Sequence, residues 1–330
     1  MTNTAFLTRR HALQWAAAAS ASSALTVFGQ SDWPQGKAVT FVVPFTAGSG
    51  TDVIARTIAE KLGPLLGAQI VIDNKTGAGG TVGAALVAKA PADGYTLLVH
   101  SSGHVVNPAL YPKLSYDTLK DFDGITPLAS LPNVIVVSPN KGYKDVADLV
   151  AKAKAQPGVL NYASAGNGSA THMNAEKFRV ATGIQAQHVP YRGTPEALTE
   201  TASGRIDWFF APLVSALPLI QSGRLQALAV STAQRSPLLP QVPSISEAGY
   251  GSAAYTFWVG LFVTAKTPKP IIDTLHREIT AVLKLPDVSQ TFITQGGEVI
   301  ASTPAEFQKA FLDDVERLGR VIRDAGIKAE

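Results

Sequence analysis

Ala38-Val39-Thr40-Phe41-Val42-Val43, followed by Pro44-Phe45-Thr46-Ala47-Gly48-Ser49-Gly50-Thr51-Asp52, is the stretch on which the fold reading turns. An unbroken apolar run of this length reads as a strand buried on both faces, as parallel strands are. A helix follows the small-residue loop. Ile54, Ile58, Leu62, Leu65 and Leu66 recur at helical spacing, with Arg56, Glu60 and Lys61 elsewhere on its surface. The first amides of a helix lack intrahelical acceptors and carry partial positive charge, so such a loop can hold an anion. One strand–glycine–helix junction is weak evidence, since α/β proteins have many. Far downstream, however, Leu160-Asn161-Tyr162-Ala163 runs into Ser164-Ala165-Gly166-Asn167-Gly168-Ser169. Two such loops suggest two lobes presenting helix ends to one carboxylated molecule.

Composition narrows the function classes. A chain of 330 residues suits two α/β domains, and 46% hydrophobic with 16% charged residues describes a folded protein. The absence of cysteine excludes thiol nucleophiles, thiolate zinc sites and disulfides. Thr8-Arg9-Arg10-His11, an alanine-rich apolar stretch over 12–27 and the small, polar Gly29, Gln30 and Ser31 follow the order of an export signal. Residues 1–29 are therefore expected to be removed near Gly29 or Gln30, with Ala19-Ser20-Ala21 as an earlier alternative. Arg9-Arg10 partly matches a twin-arginine signal, with Ala12 where phenylalanine is usual; the Tat and Sec routes both stay open. Cleavage takes away both arginines and no acid, so the formal charge falls from +3 to about +1. That removes the electrostatic case for nucleic acid as a partner. No later segment approaches twenty apolar residues, so the exported chain is not expected to enter a membrane.

Strand and helix patterns alternate after the signal. Strands are expected at 39–43, 69–72 and 95–99, with a helix over 84–90, giving a βαβαβ order with ligand loops at the strands' C-terminal ends. A further strand at 133–137 precedes a restart: helix 145–155, strand 160–163, helix 169–182, and strands at 186–189, 206–210 and 225–230. Residues 236–251 read as a loop with a short helix, and 257–263 as a strand. Two long helices start at Thr267-Pro268 and at the capping box Thr303-Pro304-Ala305-Glu306. Phe307, Phe311, Val315, Leu318 and Ile322 form the buried stripe of the last helix. The result is an α/β chain of two lobes, residues 30–131 with 253–330 and residues 132–252. Two crossings near 130–133 and 250–256 make a hinge that permits closure on a ligand.

Specific motifs resemble one family. The first loop, Gly77-Ala78-Gly79-Gly80, Pro91-Ala92-Asp93-Gly94-Tyr95, Asn107-Pro108-Ala109-Leu110-Tyr111 and Lys120-Asp121-Phe122 are similar to the substrate-binding proteins of tripartite tricarboxylate transporters, the TctC or Bug family. So are the second loop with His172, His188-Val189-Pro190-Tyr191-Arg192-Gly193, Val242-Pro243-Ser244 and Thr267-Pro268-Lys269-Pro270. The likeness runs in order through the whole chain after the signal. It implies a type II periplasmic binding protein of flytrap form with its ligand cleft between lobes. Such a protein is a monomer, not an enzyme, that delivers a small organic carboxylate to membrane permease subunits and needs no cofactor or metal. It also implies that ligand carboxylates are held largely by backbone amides and water at helix ends.

The candidate ligand contacts are Phe45, Ala47, Gly48, Ser49, Gly50 and Thr51 on the first loop and Ser164, Ala165, Gly166, Asn167, Gly168 and Ser169 on the second. Ser101 and Ser102 follow the third strand, where an α/β crevice would place them. Arg192 can make a bidentate carboxylate contact or an ion pair between lobes. Asp207 can orient the pocket, receive a ligand amine or brace loop amides. Asp52 would repel an anion and is read as bonding its own loop; Ser169 fits an N-cap, and His172 a structural hydrogen bond. Gly77-Ala78-Gly79-Gly80-Thr81-Val82-Gly83 lacks dinucleotide spacing, and His100 with His104 has no companion acid for a metal.

Two other classes compete. An exported hydrolase would use Ser169 and His172, but no nucleophile elbow or acid partner accompanies them. A sensory receptor would present the same closed form to a membrane sensor. The acid itself is left open among dicarboxylates, tricarboxylates, acidic amino acids and aromatic carboxylates, with Trp208 beside Asp207 favouring the aromatic option slightly. Ala211-Pro212 stands where the family commonly has a polar pair.

Overall fold

The computed structural model describes residues 33–324 and 326–328, and the expected export signal lies outside them. β1 (Val39–Val43) pairs in parallel with β2 (Ile70–Asn74) on one side and β3 (Thr96–Ser101) on the other. The crossovers are α1 (Gly50–Leu66) and α2 (Thr81–Ala88). Ile54, Ile58 and Leu62 of α1 are fully buried, whereas Leu65 in its last turn is 50% exposed.

The long strand β4 (Phe122–Val137) organises the rest. Sequence pattern alone starts it at residue 133, with the apolar run 133–137; Gly124, Pro127 and Pro132 lie in the part it leaves out. In the structure, register shifts at Gly124/Thr126 and Pro127/Ala129 absorb two of these, so the strand continues through them. β7 (Trp208–Pro212), β8 (Gln226–Val230), β9 (Thr256–Thr264) and the short β10 (Glu298–Val299) pair with β4, and the parallel pair β5 (Asn161–Ser164) and β6 (Gln187–Pro190) continues the sheet beyond β7.

β4 changes partners along its length. Up to Pro132 it lies antiparallel to β9, which also pairs with β3; from Asn133 onward it pairs with β7 and β8. The described strands thus run β2-β1-β3-β9-β4-β7-β5-β6, with β8 and β10 also on β4. Ser231 stitches the changeover. Its Oγ accepts from Asn133 N–H at 2.9 Å and donates to Tyr255 O at 2.6 Å. Its own amide donates to Asn133 O at 2.8 Å, and its carbonyl accepts from Tyr255 N–H at 2.7 Å. A single buried serine therefore ties β4 at Asn133 to the segment leading into β9 at Tyr255.

Helices cover the two regions of strand. After the short α3 (Asn107–Leu110) come α4 (Val146–Ala155), α5 (Ala170–Thr182), α6 (Thr194–Ala202) and α7 (Leu213–Gln221). The C-terminal α8 (Lys269–Leu283), α9 (Pro286–Thr294) and α10 (Pro304–Asp324) follow. The local signals hold where they are strongest. Asp145 caps α4 by accepting from Asp148 N–H, and Thr303 and Glu306 form the reciprocal box at the start of α10. Phe307, Phe311, Leu318 and Ile322 are buried, with Val315 partly so.

Candidate functional site

Parallel strands β1, β5, β6 and β7 each end on a turn that opens a helix, and their C-terminal ends face one another. The N-termini of α1, α5, α6 and α7 converge there on a narrow cavity of about 20 Å³. Phe45, Ser49, Gly50 and Thr51 reach it from the first loop, and Ala165, Ser169, Ala170 and Thr171 from the second. Ser101 at the end of β3, Thr194 at the start of α6, Pro212 before α7 and Phe257 of β9 complete the wall. Every polar side chain of this lining is a hydroxyl. Four helix ends supply positive potential, and no side chain lining the cavity carries a formal charge.

Ser49 has an unusual role for an N-cap residue. It makes no side-chain bond to α1, and its Oγ instead accepts from Thr194 N–H at 3.2 Å. The first-turn amides of α1 are thereby left to other acceptors. Ser169 does cap its own helix, accepting from His172 N–H at 3.3 Å.

Asp52 holds the first loop from beneath. Its carboxylate accepts from Gly48 N–H, Arg56 Nε and Asn74 Nδ2, each at 2.9 Å. Burial works to raise its pKa, and the bonds from Arg56, Gly48 and Asn74 outweigh that and lower it. Uncharged groups hold the second loop. Gly168 N–H donates to His172 Nδ1 at 3.1 Å, Ala165 N–H to Thr171 Oγ1 at 2.9 Å, and Gly166 N–H to Ser164 Oγ at 3.0 Å. Ser164 Oγ lies 2.6 Å from His188 Nε2. Burial pushes His172 down to about 4 and His188 to about 3, so both imidazoles are neutral at ordinary pH. They stack at 4.1 Å, with Tyr162 and Trp208 continuing the pile. Ser169 Oγ bonds the His172 amide rather than its ring, which is not a hydrolase dyad.

Contacts bridge the two loops' surroundings. Tyr111 OH donates to Asn167 O at 2.8 Å, and Ser215 Oγ to Gly48 O at 3.0 Å. Gly79, at φ +61°, lies so close that an added Cβ would stand 1.7 Å from Asn167 O. The glycine run at 77–80 therefore serves close backbone approach.

Of the residues singled out from sequence, Phe45, Ser49, Gly50, Thr51, Ser101, Ala165 and Ser169 come together on this wall. Gly166, Asn167 and Arg192 line an adjoining cavity of about 460 Å³, which shares Ala165 with the first. Ala47 and Gly48 are exposed at the turn of the first loop, and Ser102 is buried just beyond Ser101. Ser164 and Gly168 act within the second loop's own bracing. Asp207 stands apart. It precedes β7, whose far end, about 16 Å along the strand, is the cavity-lining Pro212. There it accepts from Lys141 Nζ at 2.6 Å and from Asn161 N–H at 2.9 Å. Ala170, Thr171, Thr194, Pro212 and Phe257 were missed. Thr194-Pro195 was readable as a helix start after a parallel strand, but nothing local brings Phe257 to the site.

Residues 54–327 match the tripartite tricarboxylate transporter family receptor. The chain belongs to this TctC/Bug family. As a TctC-family protein it is 33% identical to BugT of Bordetella pertussis over 292 residues, 88% of this chain and 90% of that one. Rpa4515 of R. palustris, solved with adipate, superposes with a TM-score of 0.85 at 34% identity, covering 89% of this chain and 98% of its own. MatC from Rhodopseudomonas palustris, solved with bound malate, gives 0.83 at 31% identity, over 87% and 99%. The fold is that of the family's periplasmic binding proteins. Among the described residues, no helix is long and apolar enough to cross a membrane, and no group of three metal-ligating side chains is present.

Proposed function

We propose that this protein is an exported, monomeric receptor that captures a small organic carboxylate and delivers it to a tripartite membrane permease. The observation that carries the reading is the convergence of four helix N-termini on one cavity with only hydroxyl and carbon side chains around it. Such an arrangement favours an anion through backbone amides and dipoles. The adipate and malate of its structural neighbours are acids of this class. On this reading residues 30–131 with 253–330 and residues 132–252 are two lobes. The partner change of β4 after Pro132, pinned by Ser231, is their hinge. Binding shifts an open–closed equilibrium toward the closed form, whose outer surface the permease reads.

A thermal-shift screen of the purified protein against carboxylates tests this. An acid at a hundred times its Kd is expected to raise Tm by about 5 °C, and its amide by much less. Equal shifts from acid and amide, or binding undiminished in both Gly48→Val and Gly166→Val, would sink the site assignment.

A further inference from the structure

A third cavity, of about 680 Å³, shares no lining residue with the two described above. Regular structure assembles its polar wall. His172, Glu176 and Arg179 stand at i, i+4 and i+7 on one face of α5, and Tyr162 of β5 is the register partner of His188 on β6. Residues 326–328, which follow α10, line the remaining side and bring the exposed Lys328 to it.

The charges of this wall do not balance. Among its described residues one acid, Glu176, faces two cations, Arg179 and Lys328. Glu176 is already engaged: it accepts from Tyr162 OH, and both its oxygens accept from Arg179 Nη1, at 2.7 and 2.8 Å. Those bonds use a single terminal nitrogen of the guanidinium and leave Nη2 for another acceptor. His172 adds a donor whose direction is fixed. Gly168 N–H donates to its Nδ1 at 3.1 Å, so the neutral ring carries its proton on Nε2. The side chain is only 3% exposed, and Nε2 stands 4.0 Å from Glu176 Oε1, beyond hydrogen-bond reach. No described residue accepts from it.

We propose that this cavity is a second anion site, separate from the cleft, which holds inorganic phosphate between Arg179 Nη2, His172 Nε2–H and Lys328. The volume leaves room for water to bridge the remaining oxygens. An acceptor on Nε2–H also locks the tautomer in which Nδ1 receives the Gly168 amide, so an occupied cavity stiffens the second loop. On the carboxylate-receptor reading, affinity at the cleft then rises, and linkage makes the effect reciprocal.

Calorimetric titration with inorganic phosphate at constant ionic strength tests the site. Glu176→Gln combined with Arg179→Gln removes the guanidinium without stranding a buried carboxylate, and is expected to weaken phosphate about tenfold. Lys328→Gln weakens it about threefold, whereas Arg224→Gln, on an exposed surface away from this cavity, leaves it unchanged. Saturating phosphate tightens adipate about fivefold. No phosphate binding by the wild type, equal losses in Lys328→Gln and Arg224→Gln, or displacement of phosphate by adipate would overturn the site. An adipate affinity unmoved by phosphate overturns its link to the loop. If no carboxylate binds while phosphate still depends on Arg179 and Lys328, the receptor reading fails and the anion site stands.

Discussion

Charge braces the loop at residues 46–51, through Asp52, Arg56 and Asn74, whereas imidazoles and hydroxyls brace the loop at residues 164–169. Both solutions leave a helix N-terminus facing the same cavity. The difference follows from position. Asp52 lies in the first turn of α1 and is fully buried, but Arg56 reaches it from a side chain that is 51% exposed, so water shares in balancing the charge. The supports of the second loop sit beside buried Tyr162 and Trp208 in the His172–His188 stack, with the charges of Glu176 and Arg179 paired to each other beyond it. Similar backbone geometry can thus be held by chemistry with quite different sensitivities.

The severest break is expected from Asp52→Ala. It deprives the Gly48 amide of its acceptor and Asn74 Nδ2 of one of its two, and should cost about 2–3 kcal/mol in urea unfolding, with ligand affinity falling as well. The half-exposed Arg56 pair contributes little of that. A loss confined to affinity, with stability unchanged, would mean that Asp52 positions the loop without supporting the fold.

Next in size is the response to acid. His172 and His188 protonate near their ordinary 6.5 when unfolded, but only at about 4 and about 3 when folded. Between those values the unfolded state binds more protons, so stability declines as pH falls from about 7 toward 4. Asp52 has its pKa lowered below 3.8, so its contribution persists through that range and is lost only at more acid pH. Amide exchange, corrected for intrinsic rates, should therefore show Gly168 losing protection before Gly48 as pH drops. Simultaneous loss would erase the distinction between the loops.

The smallest effect is expected at His104. It is fully buried against Tyr116, Phe122, Phe262 and Phe311, and neither ring nitrogen has a protein partner. Burial, with a smaller contribution from neighbouring His100, holds its pKa well below 6.5, so it adds to the same acid slope. His104→Phe should change stability by less than about 1 kcal/mol at pH 7.5 while flattening that slope. A large loss at pH 7.5 would show that its nitrogens have partners after all.

Much of the site was legible because its signals are local. The strand-to-loop-to-helix transitions, the Ser169 cap and the self-bonding of Asp52 each need only a few neighbouring residues. What escaped depends on tertiary placement. Sequence pattern puts the seventh strand at 206–210, but the ladder occupies Trp208–Pro212. That slip of two residues is enough to trade Asp207 for Pro212 at the cavity edge. Phe257 arrives from β9, far along the chain, and β4 crosses its own prolines only because neighbouring strands accept the bulges.

The tightness of the inner cavity has a kinetic meaning. On the carboxylate-receptor reading, the Tyr111–Asn167 and Ser49–Thr194 contacts narrow the way out for a bound acid. Dwell time is then set by the frequency of opening as much as by the strength of the grip. On that reading, substitutions at Tyr111 or Ser49, which themselves line the two cavities, shorten it. A receptor of the proposed kind, built this way, can hold an acid that it attracts only modestly and release it when those contacts part.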